Sequence, residues 1–124
     1  MLEGEPGISV DRKSGLDEVA MNLLNRSDSS RFWREVRRAH AEGVELVVLV
    51  EVSPEIKTIN DVPKWRSKYT QITGSAIVHE MIRLEMAYGV RWCFCSRRST
   101  AKRIVELLSE KVAKNGEKLQ ERLF

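Results

Sequence analysis

The stretch Val44-Glu45-Leu46-Val47-Val48-Leu49-Val50-Glu51-Val52 decides the fold. It is almost continuously apolar, so it reads as a strand buried on both faces. Such a strand belongs in the middle of a sheet with helices above and below, as in an α/β domain. Alternate side chains share a face, which puts Val44, Leu46, Val48, Val50 and Val52 on one side and Glu45, Val47, Leu49 and Glu51 on the other. Glu51 stands at the carboxyl end, where open α/β sheets build their sites. A solvated strand end is the plainer explanation of the same residue.

Upstream, Ile8-Ser9-Val10-Asp11-Arg12-Lys13 alternates like a second strand. Leu16, Val19, Ala20, Leu23 and Leu24 have helical spacing, with Asp17 and Glu18 in the first turn, where acids suit the helix dipole. A polar loop over 25–30 follows, in which Asp28, Ser29 or Ser30 can cap the next helix. That helix, Arg31 to Glu42, turns Phe32, Val36 and Ala39 inward and ends at Gly43. Its outer face carries Arg31, Arg34 and Arg38 in a stripe, with Arg37 and Trp33 beside it. The stripe is either a solvated face or a row of phosphate contacts.

Downstream, residues 53–73 are irregular, basic and punctuated by Pro54 and Pro63, with Trp65 and Tyr69 among Lys57, Lys64, Arg66 and Lys68. A helix entry capped by Asn60 or Asp61 is expected there, and the segment is expected to overhang a substrate groove. Trp65 reads as a packing residue, although aromatics among cations also stack on unpaired bases. A helix over 74–88 uses Ile77, Met81, Leu84 and Tyr88, widened by Val78 and Ile82. A third strand spans 90–95, and Ser96-Arg97-Arg98-Ser99 connects it to a last helix from Thr100 to Ala113. Ala101, Ile104 or Val105, Leu108 and Val112 are its expected inner residues. Arg97 and Arg98 could hold a phosphate near that helix start. Residues 1–113 thus read as one domain and 114–124 as a tail with a weak helical stripe.

In the first strand Ser9, Asp11 and Lys13 share a face. A carboxylate two residues from a lysine can hold a divalent metal and place an ammonium where a pentavalent phosphate gathers charge. Val10-Asp11-Arg12-Lys13 with Asp17 resembles the Val-Glu-Arg-Lys-x-x-x-Asp signature of the XPF-type structure-specific endonuclease domain, with Asp in place of Glu. The likeness continues through Ser30-Arg31-Phe32-Trp33-Arg34-Glu35, the strand ending in Glu51, and Tyr88-Gly89-Val90-Arg91-Trp92. It covers roughly residues 7–110 and is nearest to small single-domain versions carried by phages and prophages.

The resemblance implies a restriction-endonuclease-like fold, a central mixed sheet flanked by helices. It also implies a metal-dependent endonuclease, a hydrolase acting on branched or flapped DNA as in DNA repair. Asp11 and Glu51 would hold Mg²⁺ or Mn²⁺, Lys13 would stabilise the phosphorane, and Arg12, Asp17 and Arg31 would support the site. Asp17 has a second explanation as a helix-start acid. Arg31, Arg34, Arg38, Arg97 and Arg98 would contact DNA. The family carries a Gly-Asp metal motif on earlier strands, and this chain is expected to begin just after it, lacking those strands. Glu3 or Glu5 could stand in for that aspartate, although their spacing does not show that they reach, and the bare sheet edge implies a homodimer or a truncated chain. The alternative is an inactive nuclease-like module that binds DNA or a protein partner.

Composition narrows the rest. The chain has 124 residues, 42% hydrophobic and 31% charged, with 21 basic against 18 acidic residues and a net charge of +3. One soluble domain with a core of its own fits those values. No apolar run reaches the roughly 18 residues of a membrane span, and a secretory pattern is missing, so a cytoplasmic chain without a membrane partner is expected. Cys93 and Cys95 lie two apart on one strand face and read as reduced thiols. His79 lies on a helix without a nearby acidic or cysteine motif, and reads as an exposed or hydrogen-bonded histidine rather than a catalytic one.

Overall fold

A computed structural model describes residues 7–24 and 30–110. Glu3, Glu5, Asp28, Ser29, Val112 and the tail over 114–124 lie outside the described residues. In chain order the elements are β1 (Ile8–Lys13), α1 (Leu16–Leu24), α2 (Arg31–Glu42) and β2 (Glu45–Glu51). A 3₁₀ turn (Ile59–Lys64), α3 (Gly74–Tyr88), β3 (Arg91–Cys95) and a second 3₁₀ turn (Arg97–Ser99) follow. The last helix, α4, holds residues 100–110.

The apolar stretch takes the central place expected of it: the sheet runs β1-β2-β3. Both pairings are parallel, with Asp11 opposite Val48, Lys13 opposite Val50 and Glu51 opposite Cys95. The result is an α/β domain with a three-stranded parallel sheet flanked by helices. The described strands include none of the antiparallel partners that a mixed sheet requires.

Each face of β2 packs under its own helices. Leu46, Val48 and Val50 join Leu23, Phe32, Val36, Ile77, Met81 and Leu84 beneath α1, α2 and α3. Val47 and Leu49 join Cys93 and Leu107 beneath α4. Val47, Val48, Leu49 and Val50 lose all contact with solvent, and each such burial contributes about 2 kcal/mol.

Local chemistry sets the element ends. The Ser30 hydroxyl accepts the Trp33 N–H at 3.4 Å to start α2, and Gly43, at φ 70°, closes it in the left-handed region that glycine tolerates. The 3₁₀ turn is capped by Thr58, with Asp61 completing a capping box, rather than by Asn60 or Asp61 alone. Gly74 starts α3 against that turn; a Cβ there would lie 2.0 Å from the Val62 carbonyl oxygen. Only glycine fits so close a main-chain approach.

Four helix faces differ from expectation. Leu24 and Ile82 are exposed, and Trp33 is buried because its indole N–H donates to the Asn22 carbonyl at 3.0 Å. In α4, Leu107 is the buried apolar residue, with Ile104 partly buried, while Ala101, Val105 and Leu108 face out. The narrow contact of α4 with Val47 and Leu49 admits a slimmer stripe than the apolar residues of that helix offer.

Candidate active site between the first strand and the first two helices

β1 pairs so that Asp11 and Lys13 share the face of Val48 and Val50. That face meets α1 and α2, and the three elements enclose a pocket of about 620 Å³. Asp11, Lys13, Glu18, Asn22, Arg31 and Glu35 are among its lining residues, with Arg12 at its rim. The Lys13 side chain is only 10% exposed. Its ammonium lies 3.1 Å from Asp11 Oδ2, 3.8 Å from Glu18 Oε1 and 5.0 Å from the centre of the Phe32 ring. Burying an ammonium this far from water is costly without such partners.

Glu18 is held in turn by Ser14, whose main-chain N–H and hydroxyl donate to Oε2 at 2.9 and 2.7 Å. Partial burial pushes its pKa up from 4.5, but the two Ser14 hydrogen bonds and the charges of Lys13 and Arg12 outweigh that and hold it lower. Glu18 is therefore a carboxylate across the neutral range. Asn22, one turn further along α1, contributes a buried Oδ1 without a hydrogen-bond partner. Sequence reading missed both residues. The signal available for Glu18 was its place beside Asp17 in the first turn of α1.

The remaining expected site residues are distributed differently. Asp17 faces away from Lys13; its Oδ1 accepts a 2.6 Å hydrogen bond from the Ser67 hydroxyl on the irregular segment. Glu51 does not join Asp11. It sits on the β2 face shared with Val47 and Leu49, opposite the pocket, and its buried carboxylate accepts a hydrogen bond from Thr100 at the start of α4. A metal site joining Asp11 and Glu51 would have to reach through the sheet. Arg31 lines the pocket at the start of α2. Arg34 and Arg38 are exposed further along, with Arg38 on Glu35 at 2.8 Å. Arg97 and Arg98 are exposed just past β3, two strands or about 10 Å from β1.

The donor set bears on which cation the pocket suits. Among the described residues no group of three or more His, Cys, Asp and Glu side chains is placed to hold a metal. Magnesium, however, commonly takes one or two carboxylates and completes its octahedron with water and substrate phosphate. The lining sets three carboxylates, Asp11, Glu18 and Glu35, against three cations, Arg12, Lys13 and Arg31, so it carries no surplus of either sign, and the Asn22 oxygen is a further hard donor. The side chains do not make an all-protein cage among the described residues, so an ion here would have to take most of its ligands from water and substrate.

Chemically, the arrangement offers a fixed ammonium and flanking guanidinium groups to an anion, and carboxylate oxygens to a cation or a water proton. Cys93 and Cys95 are both free thiols and His79 is exposed on α3, away from this pocket. Among the described residues no helix is long and apolar enough to cross a membrane. No family model, curated protein or solved structure matches the chain.

Proposed function

We propose that the chain is a nuclease-like domain of the XPF type that hydrolyses phosphodiesters in branched or flapped DNA. On this reading its sheet is the core of a restriction-endonuclease-like fold. The observation that carries the proposal is the pairing of Asp11 and Lys13 at 3.1 Å inside a pocket that Arg31 also lines. The order of the signature residues supports it further.

Asp11, Glu18 and Asn22 are the residues that would hold Mg²⁺ or Mn²⁺, which when bound supplies Lewis acidity and an acidified water. An ammonium has three donors; Asp11 takes one from Lys13, leaving others for the phosphate oxygen on which charge grows. Asp11 and Phe32 fix where Lys13 points, so it needs no reorganisation as that charge appears. Arg12 and Arg31 hold neighbouring phosphates and set which bond lies over Lys13.

A nicking assay on forked DNA with Mn²⁺ tests this. Lys13→Ala is expected to lower the rate by about 10²- to 10³-fold, the usual cost of removing one donor from a developing anion. Nicking by Lys13→Ala at the wild-type rate would sink the enzyme reading. A second reading, a module that binds DNA without cutting it, is favoured by the sparse donor set. Tight binding of the fork without nicking in either metal would select it. A homodimer remains part of the proposal, since β1 has a single strand neighbour among the described residues; light scattering of the full chain reads its mass.

A further inference from the structure

Residues 62–79 contain Lys64, Arg66 and Lys68 and no acidic residue. Two aromatic side chains lie among those cations, and the structure separates their roles. Trp65 is partly buried and packs on the core. Tyr69 is 82% exposed.

The loop that carries Tyr69 is braced. Arg66 and Thr73 form an antiparallel bridge that closes its base. Inside it, the Ser67 hydroxyl accepts the main-chain N–H groups of Tyr69 and Thr70, each at 3.1 Å, and donates to Asp17 Oδ1 at 2.6 Å. Asp17 therefore ties the loop to α1 through Ser67, at the point from which Tyr69 projects.

Between this loop and the outer face of α1 lies a groove of about 530 Å³, lined by Asp17, Ala20, Met21, Leu24, Tyr69 and Ile72 among others. Met21 and Leu24 are 65% and 47% exposed, so the groove presents an apolar wall to water. Its one acid, Asp17, accepts the Ser67 hydroxyl; on the loop beside it Arg66 and Lys68 are exposed, the Arg66 guanidinium donating to the Pro63 and Trp65 carbonyls, while Lys64 is paired with Asp61. An apolar slot with an aromatic wall and a cationic border is complementary to a flat, π-faced group attached to phosphates. A hydrophobic peptide would gain nothing from that charge.

The groove and the candidate active site share no lining residue and lie on different sides of α1. Asp17 and Glu18 are successive residues, about 100° apart around α1; one lines the groove and the other the pocket. The two cavities flank a single helix of about 10 Å diameter.

We propose that this groove is a nucleobase subsite. An unpaired base of a single-stranded DNA segment stacks on Tyr69 and against Met21 and Leu24, with Arg66 and Lys68 on the flanking phosphates. Stacking is tolerant of base identity, so the subsite selects unpaired over paired DNA rather than sequence. This rests on the nucleic-acid part of the proposed function and not on cleavage.

The test uses the full chain in EDTA and two DNA probes, a blunt duplex and the same duplex with a single-stranded extension containing 2-aminopurine. The wild type is expected to bind the extended probe more tightly and to quench the 2-aminopurine. Tyr69→Ala loses roughly tenfold in affinity for the extended probe and the quenching, with blunt-duplex binding unchanged. Tyr69→Phe retains both, and Met21→Glu, on the opposite wall, reproduces the loss. Quenching without any nicking in Mn²⁺ leaves the subsite standing while the enzyme reading fails. Absence of quenching by the wild type hands the groove to a protein partner or a second copy and overturns the proposal. Equal losses of Tyr69→Ala on both probes, or none on either, overturn it too.

Discussion

An ammonium with a side chain 10% exposed cannot stand without an anion, and Lys13 has Asp11 at 3.1 Å and Glu18 at 3.8 Å. The second carboxylate makes the site sensitive to acid. Because Glu18 has a depressed pKa in the folded chain, its contribution to stability is complete above the ordinary value of 4.5 and is lost as pH falls through the lower folded value. Glu18→Gln is expected to remove part of the acid-induced loss of stability, read as a shallower fall of melting temperature as pH drops below 4.5. Curves that superimpose with the wild type would show that Ser14 and Lys13 do not select the charged form. Asp11→Asn is expected to keep the fold but to weaken the hold on Lys13 and lower nicking with it. The alternation of β1 made Asp11 and Lys13 legible as neighbours in the sequence. Glu18 was not, because one residue on a helix is about 100° of rotation, and only the packing of α1 on β1 decides which of two adjacent acids faces the strand. Glu51 illustrates the same gap: its place at a strand end was readable, but the face it occupies depends on register with β1.

At the scale of elements, the order and approximate limits of the described helices and strands were written in the sequence, because caps, glycines and apolar spacing agree with one another there. Contacts between elements were not. Gly74 is the clearest case. Nothing in Ile72-Thr73-Gly74-Ser75 announces that the Val62 carbonyl will pass where a Cβ would be, 2.0 Å away. Gly74→Ala must push the 3₁₀ turn off α3, since the obstacle is main chain and cannot rotate aside. A loss of about 1–3 kcal/mol in urea denaturation is expected, the range for overpacking a filled site. Gly15→Ala is the control: its Cβ would meet nothing nearer than the Glu51 carbonyl oxygen at 4.0 Å, an ordinary contact. Equal stability of the two variants would mean that the turn and α3 are not rigidly joined. The face of α4 was misread for a related reason, since several apolar residues compete for one narrow contact and the sheet chooses Leu107.

For the whole molecule, a net charge of +3 says little about DNA, and the parallel sheet says where the charge is. Parallel strands end together, so Lys13, Arg97 and Arg98 lie along one carboxyl edge, while Arg91 opens β3 at the other end. Arg91 stands 3.7 Å from both Glu45 and Glu110, which neutralise it locally. On the proposed function, a duplex laid along the carboxyl edge with the scissile phosphate over Lys13 would reach Arg31 at the pocket and the Arg97-Arg98 turn about 10 Å away. Each phosphate contact releases counterions and contributes about 0.9 to the slope of log K against log salt. Arg31→Ala and the double change Arg97→Ala with Arg98→Ala should each flatten that slope, the second by more, in binding titrations across a range of salt. Arg91→Ala removes the same formal charge from the chain and is expected to leave the slope unchanged. If it flattens the slope as much as Arg31→Ala does, the duplex does not follow the carboxyl edge, and Lys13 loses its claim to lie beneath the phosphate that is cut.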